Sequence, residues 1–148
     1  MSPTELSKLY EEDVYTWAMR NAELLRQGRF DQIDVEHIAE EIESVGKSER
    51  RELENRLIIL FSHLLKWQYQ PQRRGRSWHA TIKEQRRRVR GVLNNNPGLK
   101  PFLNDIVDEA YASACLVASR EADLDEAIFP ERCLYALGDA LDDAFWPD

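Results

Sequence analysis

An apolar stripe at helical spacing constrains the fold of this chain more than any other feature. Residues three and four positions apart share one face of an α-helix, so such a stripe predicts a helix with one buried side. Glu36, Glu40 and Glu43 fall on the opposite side, and Gly46 allows either a kinked helix or two nearly coaxial helices. The stripe consists of Val35, Ile38, Ile42, Val45, Leu53, Leu57, Leu60, Leu64 and Trp67.

The other segments also have helical rather than strand-like patterns. The spacing predicts a first helix between Tyr10 and Gly28, a fourth capped by Ser77, a fifth over 101–121 and a short helix over 135–141. No segment alternates as a half-buried strand does. We therefore expect an all-α fold, a single-domain helical bundle over residues 1–148. It should have about five main helices, a short C-terminal helix and an aromatic tail.

Composition excludes several classes of protein. At 148 residues with 43% hydrophobic side chains, the chain can bury a core without disulfides or a structural metal. The two cysteines, Cys115 and Cys133, form neither a disulfide framework nor a zinc-binding pattern, which favours a reduced cytoplasm. No apolar run approaches the roughly 20 residues that a membrane-spanning helix needs. We therefore expect a cytoplasmic protein with no membrane association, no cofactor and no metal.

The charge distribution is the most unusual part of the sequence. The chain carries a net charge of −7, yet residues 66–90 contain nine Lys or Arg and one acid, Glu84. We expect that carboxylates of the same molecule chiefly neutralise this segment, and the alternative is an external polyanion. Basic residues interleaved with aromatics can bind phosphates and stack on bases, which gives the nucleic-acid hypothesis. Its candidate phosphate-binding residues are Arg73, Arg74, Arg76, Lys83 and Arg87.

His63 and Glu41 are the candidates for chemistry in the core. His63 lies on the most apolar helix, where a histidine is either hydrogen-bonded for structure or part of a site. With Glu41 it could serve a metal-dependent enzyme, but the chain has no Glu-x-x-His spacing of the kind that di-iron bundles repeat. No glycine-rich phosphate loop or activated nucleophile appears either. These absences favour a protein that is not an enzyme.

Several short sequence blocks occur in order over nearly the whole chain. They are Tyr10–Asp13 with Trp17, Ala39–Glu43, Gly46–Arg51, His63–Pro71, Ser77-Trp78 with Thr81-Ile82, Phe129-Pro130, and Cys133 with Tyr135. Together these blocks resemble a bacterial family, domain of unknown function 29 (DUF29). One departure is Leu134, where the resemblance leads us to expect proline. The resemblance implies a helical bacterial protein and supplies no activity.

The resemblance also directs attention to polar residues near the predicted core. Arg86 joins this set because it lies beside Ile82 and Val89 at the edge of the fourth helix's core face. The leading hypothesis is a non-enzymatic protein-interaction or self-association module, in which Glu41, His63 and Arg86 share an internal polar network. The candidate polar cluster is Glu40, Glu41, His63, Lys66, Gln68, Arg74, Trp78, Gln85 and Arg86.

Overall fold

The structure is a computed structural model that describes all residues from Met1 to Asp148. It contains six α-helices, three short 3-10 turns and no strand, so the all-α prediction is confirmed. The helices are α1 (Pro3–Glu12), α2 (Val14–Arg26), α3 (Val35–Tyr69), α4 (Arg76–Asn95), α5 (Leu103–Ala122) and α6 (Leu137–Ala140). None of them combines the length and the hydropathy that crossing a bilayer would require.

Several boundaries differ from the predicted ones. Helix α1 begins at Pro3, before Tyr10, and α4 begins at Arg76 with Gly75 at its N-cap, so Ser77 does not cap it. The first predicted helix is divided at Asp13, whose backbone leaves the helical region and whose carboxylate accepts hydrogen bonds from the amide and hydroxyl of Thr16, the first at 3.1 Å. That capping interaction starts α2. Of the two alternatives that the sequence left open at Gly46, the structure has one helix, since α3 runs through Gly46 over 35 residues. Gly28, with φ +73°, ends α2 in the left-handed conformation that glycine adopts without strain.

The chain contains two compact units, Met1–Lys47 and Ser48–Asp148. The first unit has a small buried interior, with Leu6 and Trp17 as its only buried apolar side chains. The second unit has a continuous core that is built on α3, α4 and α5. On α3 the residues Leu53, Leu57, Leu60 and Leu64 are completely buried, as their spacing predicts. This core positions the polar side chains described next.

Candidate functional site

Lys66 is a buried cation near the C-terminal end of α3. Its Nζ donates to Glu121 Oε2 of α5 at 2.5 Å and lies 5.4 Å from the centre of the Trp78 ring. Burial of an ammonium group requires such a partner, because the desolvated charge is otherwise costly. The hydrogen bond from Lys66 holds the pKa of Glu121 below its usual value. The structure therefore places Lys66 and Trp78, two members of the predicted cluster, together.

His63 lies one turn before Lys66, in surroundings that disfavour its charged form. Burial lowers the pKa of its imidazole, and the neighbouring Lys66 charge adds to that shift. Its Nδ1 lies 2.8 Å from the carbonyl oxygen of Ile59, so that nitrogen carries the proton and donates. This hydrogen bond lies within the histidine's own helix. It agrees with the interpretation of His63 as a histidine that is hydrogen-bonded for structure.

Arg86 is completely buried on α4. Its Nε donates to the carbonyl oxygen of Ala140 at 2.7 Å and its Nη2 to that of Phe145 at 2.5 Å. The guanidinium also lies 5.1 Å from the centre of the Trp146 ring, which is within the range of a cation–π interaction. Burial lowers the pKa of Arg86, while Asp143 and Asp142 oppose that shift. The group thus ties α4 to the C-terminal segment.

Two further arginines bind the same C-terminal segment through its backbone. Arg74 donates to the carbonyl oxygens of Trp67 at 2.7 Å and Pro147 at 3.2 Å. Arg90 donates to the carbonyl oxygen of Leu141 at 2.5 Å and contacts Asp143 at 3.4 Å. The expectation that carboxylates chiefly neutralise the basic segment is therefore wrong for these arginines, since backbone oxygens are their main partners.

The two glutamines of the predicted cluster differ in how they are satisfied. Gln68 accepts a hydrogen bond from the Tyr135 hydroxyl at 2.8 Å. Gln85 is buried, and its Oε1 has no hydrogen-bond partner; the same is true of Arg86 Nη1. Buried polar atoms of this kind usually bind an ordered water.

The two glutamates of the predicted cluster belong to the first unit and are exposed. Glu41 accepts a hydrogen bond from the Tyr10 hydroxyl, which raises the pKa of Tyr10 to about 12. Glu40 forms no ion pair. The structure gives Glu41, His63 and Arg86 separate partners in place of the single network that the sequence suggested. Local spacing could not reveal these partners, because Tyr10, Ala140 and Phe145 are distant in sequence.

The first unit holds a polar cluster around Asp34, a residue that the sequence did not mark as a candidate. Asp34 Oδ2 accepts from Trp17 Nε1 at 2.9 Å and pairs with His37 Nδ1 at 2.7 Å. Its backbone amide donates to Asn21 Oδ1 at 2.9 Å. Burial alone would raise the pKa of Asp34, but the hydrogen bonds from Trp17 and His37 outweigh it and lower the pKa. The cluster is fully satisfied, which is typical of a structural role.

The outer face of α4 carries a row of exposed cations. Arg76, Lys83 and Arg87 follow one another at intervals of seven and four residues, so they lie on one side of the helix, with His79 between them. Arg73, in the preceding 3-10 turn, is exposed as well.

None of these four Arg and Lys side chains forms an ion pair, whereas Arg88 pairs with Glu84 at 3.0 Å. Four of the five predicted phosphate-binding residues are therefore exposed and without an ion pair. The fifth, Arg74, is half-buried and hydrogen-bonded to backbone carbonyl oxygens.

An aromatic cleft adjoins the beginning of this row. The His79 and Trp146 rings stack at 4.3 Å with 8° between their planes, and Trp67 lies 4.8 Å from Trp146. The cleft has a volume of about 480 Å³. Its lining consists of Trp67, Arg74, Gly75, Arg76 and His79. Sequence reasoning missed His79 and Trp146, since only the fold brings the C-terminal aromatic residues to α4.

Two further kinds of group could take part in chemistry, namely clustered metal ligands and cysteine thiols. No three or more His, Cys, Asp or Glu side chains are grouped so that they could hold a metal ion. Cys115 and Cys133 are free thiols, and burial raises the pKa of each. A raised pKa keeps a thiol protonated and unreactive.

Comparison with known proteins gives one match. The sequence model of a family described as "Domain of unknown function DUF29" matches residues 9–146. No curated protein and no solved structure matches the chain.

Proposed function

Since the chain belongs to the DUF29 family, whose description assigns no activity, we propose from its own geometry that it is a non-enzymatic module that binds single-stranded nucleic acid. The binding surface is the outer face of α4 together with Arg73 and the adjoining aromatic cleft. The free thiols Cys115 and Cys133 support a reducing cytoplasm as its location.

The observation that carries this proposal is the unpaired row of cations. Arg73, Arg76, Lys83 and Arg87 are exposed and have no carboxylate partner, although the chain has 27 acidic residues. Phosphate groups release condensed counterions when such cations neutralise them, and this release provides most of the affinity. From Arg76 to Arg87 the row is about 16 Å long, at about 1.5 Å per residue. That length spans several successive phosphates.

The aromatic cleft favours a single strand over a duplex. Unpaired bases can leave the stack and lie against aromatic side chains, and each stacked base contributes about 1–3 kcal/mol. Trp67 is already oriented by Arg74, whose guanidinium lies 5.3 Å from the ring centre, and His79 is oriented by Trp146. Arg76 lines the same cleft, so one base and its phosphate can be held at adjacent positions.

The decisive experiment is the salt dependence of binding to a fluorescently labelled single-stranded oligonucleotide, followed by anisotropy. The double variant Arg76→Gln, Arg87→Gln should bind more weakly at low salt. Its plot of log K against log salt should be less steep by about 1.4, that is about 0.7 for each lost phosphate contact on a single strand. Trp67→Ala should lower the affinity with little change in this slope.

The matched control is Arg51→Gln, Arg132→Gln. These two arginines are also exposed and unpaired, and the control changes the net charge by the same amount. It should bind as the unmodified protein does. Equal weakening in both double variants, or no binding by the unmodified protein at about 20 mM salt, contradicts the proposal.

Protein–protein association, the other function considered from the sequence, has support from a different surface. In the first unit, Val35, Ile42 and Val45 of α3 form an exposed apolar helix face. The proposal of nucleic-acid binding does not depend on this face.

A further inference from the structure

The first three turns of α3 carry an apolar face that is exposed to solvent. Sequence spacing predicted that Val35, Ile42 and Val45 face a core, but they are 60%, 67% and 66% exposed. Ile38, on the same side of the helix, is only partly buried. From Val35 to Val45 the face is about 15 Å long, at about 1.5 Å per residue. A contiguous apolar surface of this kind marks an interaction site.

A groove between α2 and α3 continues this face and has a volume of about 290 Å³. The small side chains of Ala18 and Ala22 leave room along its α2 side. Helices bind in such apolar grooves through side chains at i, i+3 or i+4, and i+7, which together span about two turns. The groove therefore has the shape and length that a short helix requires. Its walls are Ala18, Ala22 and Leu25 of α2 and Ile38, Ile42 and Val45 of α3.

Acidic side chains surround this groove. Glu41 lines it directly. Glu36 and Glu43 lie next to Ala39 on the helix surface, at spacings of three and four residues, and Ala39 adjoins the apolar face. Neither Glu36 nor Glu41 forms an ion pair, and the pair between Glu43 and Lys47 is exposed and 3.8 Å long. Residues 1–47 as a whole contain eleven Asp or Glu and only five Lys or Arg.

This charge decides between the occupants that an exposed apolar face can have. A second copy of the chain would bring the same acidic rim into the contact, where like charges repel. Nucleic acid and anionic lipid headgroups would be repelled in the same way. A cationic partner would instead place opposite charges together, and the long stems of Lys and Arg can cover apolar surface while their charged ends reach the rim.

We propose that the groove binds a basic amphipathic helix of another protein. The apolar face of that helix packs against Ile38, Ile42 and Val45, and its flanking Lys or Arg side chains pair with Glu36, Glu41 and Glu43. This protein-binding surface lies on α2 and α3, so it is additional to the nucleic-acid-binding surface on α4 and does not rest on it.

A model peptide tests the proposal on the full chain. The probe is a fluorescently labelled peptide of about 18 residues, made of Leu and Lys, with the leucines at helical spacing on one face. Fluorescence anisotropy should show binding, and Ile42→Lys should raise the dissociation constant about tenfold or more, because it places a cation in the apolar contact. The control is Leu116→Lys on α5, since Leu116 is 58% exposed and its replacement makes the same chemical change. It should bind as the unmodified protein does, and far-ultraviolet circular dichroism should show both variants folded.

A second pair of variants tests the acidic rim. Glu36→Gln, Glu43→Gln should bind the peptide more weakly and with less dependence on salt, because salt screens the lost attraction. Its matched control is Glu109→Gln, Glu126→Gln, which removes two exposed carboxylates of the second unit that form no ion pair. That control should bind as the unmodified protein does.

A peptide of the same composition in scrambled order distinguishes a docked helix from general attraction to an acidic protein, and it should bind about tenfold more weakly or less. No binding of the amphipathic peptide, equal binding of the two peptides, or equal affinity of Ile42→Lys and Leu116→Lys overturns the proposal. So does either of two other occupants. One is a dimer in sedimentation equilibrium that Ile42→Lys dissociates, and the other is binding to phosphatidylserine vesicles that Ile42→Lys abolishes.

Discussion

His37 and His63 lie on the same helix, α3, but their surroundings shift the two pKa values in opposite directions. The hydrogen bond to Asp34 is the largest cause that raises the pKa of His37, whereas desolvation is the largest cause that lowers the pKa of His63. In the unfolded chain both titrate near 6.5. Their protonation therefore affects stability in opposite directions.

We predict that nuclear magnetic resonance titration places the pKa of His37 above 6.5 and that of His63 below it. A raised pKa makes His37 stabilising below about pH 6.5, and this contribution is lost as the pH rises through the folded-state value. The neutral His63 stabilises above about pH 6.5 and loses that contribution as the pH falls towards its lower pKa. His37→Gln and His63→Gln assign the two resonances. Titration of both groups at 6.5 would contradict the described hydrogen bonds.

At the level of elements, the C-terminal segment depends on α4 for its position. The four-residue α6 is too short to be stable alone. Arg86 donates hydrogen bonds to the carbonyl oxygens of Ala140, the last residue of α6, and Phe145, which follows the helix. We predict that Arg86→Ala lowers the free energy of unfolding by about 3 kcal/mol, because it leaves buried carbonyl oxygens unpaired and creates a cavity.

Urea denaturation measures this effect, and the adjacent exposed Arg87 is the control. Arg87→Ala should change the free energy of unfolding by no more than about 0.5 kcal/mol. Arg86→Lys should also be destabilised, since an ammonium group cannot reproduce two directed guanidinium hydrogen bonds. Equal stability of the Arg86→Ala and Arg87→Ala proteins would show that the buried contacts contribute nothing.

Sequence periodicity predicts the elements well but not what covers them. The leucines at 53, 57, 60 and 64 and the stripe at 35–45 have the same spacing, yet only the first set is buried. Spacing identifies the apolar side of a helix, whereas burial depends on distant segments. The candidate site shows the same difference between what local spacing predicts and what depends on distant segments. The inward position of Arg86 follows from its neighbours Ile82 and Val89, but its carbonyl partners lie more than fifty residues away in sequence.

At the level of the whole molecule, the two units differ in how much apolar surface they bury. Residues 1–47 contain two buried apolar side chains, and residues 48–148 contain seventeen. Local opening is easiest where few buried contacts oppose it. We predict that backbone amides in α1 and α2 exchange hydrogen much faster than those of α3 after Leu53 and of α5.

Hydrogen exchange read by mass spectrometry tests this difference between the two units. Uniform protection along the chain would contradict the difference in burial.

The arginines at 74, 86 and 90 clasp the peptide backbone of the C-terminal segment, and this has an evolutionary consequence. Every amino acid presents the same carbonyl oxygen, so substitutions at Asp142 or Ala144 leave the acceptors intact. Positions of the segment that offer only their backbone to these arginines can therefore vary in sequence, whereas the arginines themselves and Trp146, whose ring contacts Arg86 and His79, should tolerate little change.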